Sequence, residues 1–120
     1  MTTRETPVVL LVARDEPAAR ALASSLRGRG FEVAWAHDGE GGIGALEKAQ
    51  PRAVVCELRA PRIDGLAVLA RAGERRPAPC VVLVSEGPQL DLAVEAMRRG
   101  AWDVQAWPFV WVAGNALQRI

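Results

Sequence analysis

The sequence predicts a doubly wound α/β domain, with a five-stranded parallel sheet and helices on both faces. Three observations carry that expectation. Five short apolar runs alternate with segments of helical period along the 120 residues. The first, third and fourth runs are almost continuous Val, Leu, Ala and Cys, as strands covered on both faces read. No internal repeat, low-complexity tract or linker interrupts the alternation, and strict β–α alternation gives one parallel-sheet domain.

The first strand is expected at Val8–Ala13. A helix follows at Pro17–Arg29: proline suits a first helical turn, where its missing N–H has no role, and Gly30 stands just past the end. Glu32–Ala36 reads as the second strand and Gly39–Ala49 as the second helix, stopped by Pro51. Ala53–Cys56 is the third strand, and Leu66–Arg75 the helix that ends before "RPAP". Cys80–Val84 is the fourth strand, and Leu90–Arg99 the helix closed by Gly100. Asp103–Trp107 is the fifth strand. A last helix is expected from Val110, with Val112, Ala113, Ala116, Leu117 and Ile120 at helical spacing. It reaches Ile120 without a polar tail, so residues 1–120 read as one module of a longer protein.

Composition narrows the class. Hydrophobic residues make up 50 % of the chain, enough for a real core. The net charge of +1, without a charged block, gives no reason to expect nucleic acid or an anionic membrane as this domain's own partner. No apolar run reaches the roughly 18 residues of a membrane span. The N-terminal apolar stretch is too short for a secretory signal, so a cytoplasmic location is expected. Lys48 is the only lysine and His37 the only histidine. The two cysteines, Cys56 and Cys80, make no disulfide framework. On parallel neighbouring strands they would lie roughly 13 Å apart along the strands, too far for a bridge that needs Cα atoms within roughly 7 Å.

In an open α/β sheet, ligands sit beyond the carboxyl ends of the strands. Those ends are Arg14, Asp15 and Glu16 after the first strand, Glu57 after the third, Ser85 after the fourth and Trp107 on the fifth. Glu57 is the anomaly, because a run that reads as fully buried stops on a carboxylate.

Four stretches in chain order then carry a resemblance: "RDEPAAR" (Arg14–Arg20), "ELRAPRIDGL" (Glu57–Leu66), "LVSEG" (Leu83–Gly87), and "AVEAMRRGAWD" followed by "WPF" (Trp107–Phe109). Together they resemble bacterial two-component response-regulator receiver domains, above all those of sigma-54-dependent activators, along essentially the whole chain. The resemblance implies a flavodoxin-like sheet of strand order 2-1-3-4-5. It also implies a known chemistry. A strand-end aspartate takes a phosphoryl group from a partner histidine kinase. Acidic residues after the first strand hold Mg²⁺. A lysine before the proline contacts the phosphoryl oxygens. A hydroxyl on the fourth strand follows the phosphate and reshapes the last helices.

Against that pattern Glu57 stands where the phosphoacceptor aspartate belongs, Arg14 replaces one acid of the pair, and Trp107 replaces the lysine. Val104 takes the aromatic switch position, and Ser85 keeps the hydroxyl switch position. Asp15, Glu57 and Arg59 remain as vestiges of the metal site. A guanidinium turned inward would fill part of the metal's electrostatic role, so Mg²⁺ binding is expected to be weak or absent. Arg14 could equally point to solvent, and Glu16 could turn inward as a second acid. Glu57 could mimic a phosphorylated aspartate, with one charge against roughly −1.5 to −2, or persist as a structural acid. Trp107 could fill the space of the lysine stem or form a ligand platform, and the bond to Pro108 is expected to be cis, as in the family. Ser85 is expected to bond local backbone.

Three functions compete. The first is phosphorylation-independent regulation and dimerisation, through the fourth helix, fifth strand and fifth helix, of a transcription-regulating output domain in the same chain. The second is small-molecule binding at the altered pocket; conventional Mg²⁺-dependent phosphotransfer stands well behind both. The third is an enzyme on a flavodoxin- or phosphatase-like fold. "ARDEPAAR" argues against that one: it offers neither a glycine- or hydroxyl-rich anion nest nor two aspartates flanking one residue.

Overall fold

A computed structural model of the chain describes residues 6–87 and 89–106. The elements in order are β1 (Val8–Val12), α1 (Pro17–Gly28), β2 (Glu32–Ala36), α2 (Gly39–Ala49), β3 (Ala53–Glu57), β4 (Arg59–Ala60), β5 (Ile63–Asp64), α3 (Gly65–Gly73), β6 (Cys80–Ser85), α4 (Leu90–Arg98) and β7 (Asp103–Ala106). Five strands form one sheet of order β2-β1-β3-β6-β7, and every pairing in it is parallel. This is the expected 2-1-3-4-5 order. The expected last helix, the Trp107 end of the fifth strand and the Trp107–Pro108 bond lie outside the described residues.

Alternate residues of the central strands face opposite layers, as the two-residue period of a strand requires. Val9, Leu11, Val55 and Val82 pack with Leu22 and Leu26 of α1. Leu10, Val12, Val54 and Leu83 pack with Leu46, Val68, Leu69 and Ala96 from α2, α3 and α4. Gly42 lets α2 approach β1 closely, since a Cβ there would lie 2.7 Å from a Val12 methyl.

Several ends differ from the expectation by a residue or two. β3 includes Glu57 because its ladder with β6 continues to the pair Glu57↔Val84. α3 stops at Gly73 rather than Arg75: the N–H groups of Glu74 and Arg75 turn to Arg71 O and Ala72 O, a tighter i→i−3 pattern. α3 starts one residue earlier than expected, on Gly65, because Asp64 caps it by accepting from Leu66 N and Ala67 N. The antiparallel pair β4–β5 has no counterpart in the sequence reading.

Cys80 is level with Ala53 and Cys56 with Leu83. The two thiols are therefore three residues apart along adjacent strands, about 10 Å rather than 13 Å, and both are free.

Candidate functional site at the end of the third strand

The register Val12↔Cys56 brings the exit of β1 level with the last residue of β3. Arg14 leaves β1 there, and its main chain meets Glu57 directly. The Arg14 N–H donates to Glu57 Oε2 at 2.7 Å. The guanidinium then closes a fork on the same carboxylate, Nε to Oε2 at 3.3 Å and Nη2 to Oε1 at 2.9 Å. Glu57 is only 3 % exposed, so one residue supplies all three donors to a buried acid. Two-pronged geometry of this kind is what arginine, unlike lysine, offers a carboxylate.

Two further acids share that guanidinium. Glu16 lies 3.1 Å from Nη1 and Glu86 3.6 Å from Nη2. Hydrogen bonding to Glu57 holds the Arg14 pKa above its ordinary value; burial opposes this, and the charges of Glu57, Glu16 and Glu86 reinforce it. Of the two orientations open in the sequence, Arg14 takes the inward one, and Glu16 turns toward it.

Asp15, expected in the pocket, is a correction. Its carboxylate pairs with Arg20 at 2.7 and 3.2 Å on the exposed surface of α1. Arg20 is one turn into α1 and meets the residue just before its N-cap, which leaves Glu16 for the pocket. Glu86 was missed by sequence reasoning, although it directly follows Ser85 at a strand end. Arg59 lies on β4 and lines a cleft bounded by α2 and α3, so of the expected vestigial metal set only Glu57 is bonded to Arg14.

Ser85 is buried, and its hydroxyl donates to Gly87 O at 2.7 Å, the expected local bond. Val104, on β7, is half-buried against the α4 side of the core. Behind Glu57, Gly65 N donates to Leu58 O at 2.9 Å, and a Cβ on Gly65 would lie 2.6 Å from the Glu57 carbonyl. Only glycine permits α3 to start so close to the strand end. Trp107 and Pro108 fall outside the described residues.

Magnesium would need near-octahedral oxygen ligands. The Glu57 oxygens already receive three N–H donors from Arg14, and a fixed positive charge sits on them. The described side chains do not fit a divalent ion at this carboxylate. Among the described residues, no three His, Cys, Asp or Glu side chains group as a metal cage.

A five-stranded parallel sheet of this order, with an acid ending its central strand among the loops of the carboxyl edge, defines a receiver-type signalling domain. The family model for the response regulator receiver domain matches residues 9–109, and the chain belongs to that family. It is 36 % identical over 107 residues to protein-glutamate methylesterase/protein-glutamine glutaminase 1 of Anaeromyxobacter dehalogenans, covering 88 % of this chain and 31 % of that one. It is 34 % identical to the transcriptional regulatory protein QseB of Haemophilus influenzae, covering 84 % and 46 %. The DNA-binding transcriptional regulator NtrC of Salmonella typhimurium is 30 % identical, covering 85 % and 22 %. The chain thus spans less than half the length of these curated relatives. Among solved structures, the receiver domain of NtrX from Brucella abortus superposes with a TM-score of 0.79 at 30 % identity, covering 93 % of this chain and 99 % of that one. A CheY-like receiver from Methanospirillum hungatei reaches 0.87 at 19 % identity, covering 96 % and 93 %, a likeness of fold.

Proposed function

We propose that this chain is the receiver module of a longer cytoplasmic regulator, and that it works without accepting a phosphoryl group. The Arg14–Glu57 fork carries this reading. An ordinary receiver signals by a change of charge at its strand-end acid, where a phosphoryl group brings roughly −1.5 to −2. Here the acid at that position is matched permanently by a guanidinium, so the local charge is constant in time. Glu16 and Glu86 share the same guanidinium, so net charge does not decide between the two readings; what favours Glu57 as a structural acid over Glu57 as a mimic is that both its oxygens are already bonded by Arg14. The Ser85 hydroxyl is committed to Gly87 O, in keeping with a switch that waits for no phosphate.

The output on this reading is assembly. α4 and the segment before β7 expose Leu90, Val94, Met97 and Trp102, with Leu90 74 % exposed. An apolar face of this kind supports self-association. By analogy with QseB and NtrC, whose names describe transcriptional regulators, the same chain would carry an output domain that dimerisation controls. The domain itself is neither an enzyme nor a nucleic-acid binder on this proposal. A histidine kinase would be at most a docking partner.

The test is phosphorylation with acetyl phosphate and Mg²⁺ in excess, read by intact mass beside an ordinary receiver. No mass gain is expected, and Glu57→Asp alone should not restore one, because Arg14 remains. A metal-dependent covalent gain on the natural chain would overturn the proposal. In the full-length regulator, Glu57→Gln should leave dimerisation unchanged, whereas its loss would revive Glu57 as a mimic.

A further inference from the structure

A second concave site lies away from Glu57, between α2, α3 and the β4–β5 hairpin. Its volume is about 810 Å³, within the range of small-molecule pockets, roughly 300–1,000 Å³. Ile43, Ile63 and Val68 give it an apolar floor, and Arg59, Arg62 and Arg71 line it with them. We propose that this cleft binds a small soluble anion with an apolar body, its phosphate or carboxylate held by the arginines and its body resting on the aliphatic floor.

Charge supports that choice. Two acids, Glu40 and Asp64, share the lining with the three arginines. Asp64 is occupied as the α3 cap, accepting from two backbone N–H groups. Among the described residues Arg59 has no carboxylate within ion-pair distance. Arg62 reaches the half-buried Asp38 only at 3.7 Å, and Arg71 reaches Glu74 only at 3.5 Å on the exposed surface. Such long pairs are weak, so the guanidinium groups can turn to an incoming anion.

The backbone supplies a second argument. Arg62 has φ +65°, in the left-handed region that favours glycine. It is held there by the bond from Gly39 N to Arg62 O at 2.8 Å and by the hairpin pair Ala60↔Ile63. Glycine would adopt this conformation with less strain, so the arginine side chain is present at the expense of stability. A cation placed at the mouth of an apolar cleft accounts for it, since strained residues gather at ligand sites.

The test uses 1-naphthyl phosphate as probe, with 1-naphthol and inorganic phosphate as controls. Binding is followed by amide NMR shifts of Ile43, Ala60, Ala67 and Val68. Saturable shifts are expected with Kd below about 1 mM, and each control should bind about tenfold more weakly or worse. Arg59→Ala and Arg62→Gly should each weaken the probe about threefold or more. Arg62→Gly should leave the melting temperature equal or higher, so its loss of binding cannot come from unfolding. The proposal is overturned by an absence of saturable shifts, by shifts confined to the Glu57 end, or by affinity indifferent to both substitutions. Binding to anionic phosphatidylglycerol vesicles in place of the soluble probe would overturn it as well.

Discussion

Glu57 keeps a carboxylate inside the protein because one neighbour meets it with a backbone N–H and a two-pronged guanidinium. Breaking a buried pair from one side leaves an uncompensated charge. Arg14→Ala is therefore expected to lower stability by about 3 kcal/mol, read by urea unfolding. Arg14→Lys should fall between the two, since a single ammonium cannot span both oxygens. Asp15 behaves differently. Hydrogen bonds from Arg20 hold its carboxyl below the usual carboxylate range, opposed by slight desolvation and helped by the Arg20 and His37 charges. A depressed carboxylate stabilises the fold above its unfolded pKa, near 3.8, and that contribution disappears as pH falls through the lower folded value. Arg20→Ala should return the Asp15 titration, followed by NMR, to the ordinary range. The melting temperature at neutral pH should barely change, because both groups are exposed. At this scale the sequence showed Glu57 as a buried acid at a strand end and left Arg14 free to face either way. The orientation depends on the β1–β3 register, which no local signal reveals.

At the scale of elements, the start of α3 fixes the strand end. Asp64 caps the helix and Gly65 allows its backbone to rest on Glu57 and Leu58. Gly65→Ala should cost about 2 kcal/mol or more, since a methyl group would overlap the Glu57 carbonyl. It should also shift the Arg14 and Glu57 amide resonances, whereas a purely local effect would leave them in place. The helices were legible because their signals are repeated: apolar spacing, a proline near the start of α1 and Gly30 past its end, Pro51 after α2. The β4–β5 hairpin was not, because two-residue strands carry no readable period. Asp64 and Gly65 read as a turn and helix start, which the cap and the first residue of α3 bear out.

For the whole molecule, the exposed apolar side chains of α4 and of Trp102 mark the surface on which self-association would act. Val94→Glu with Met97→Glu should convert a dimer to a monomer in sedimentation velocity without loss of fold, because neither side chain is in the core. Thiol labelling offers a check on the core. Burial pushes the Cys56 thiol well up, with the Glu57 charge adding to it, while Cys80 is only partly buried. Cys80 should react first with a thiol reagent, and Cys56 only on unfolding.

By itself the chain determined the α/β alternation, the two-sided core strands and, to within a residue, the ends of the first four strands of the sheet, because those depend on spacing and side-chain type within short windows. The tertiary structure alone decided which acids surround Arg14. It admitted Glu16 and Glu86, sent Asp15 to Arg20, and joined Arg59, Arg62 and Arg71 along one cleft. The physical reason is that a hydrogen-bonded ion pair needs its atoms within about 3 Å, and separations of that size between distant residues are set by strand register and helix packing.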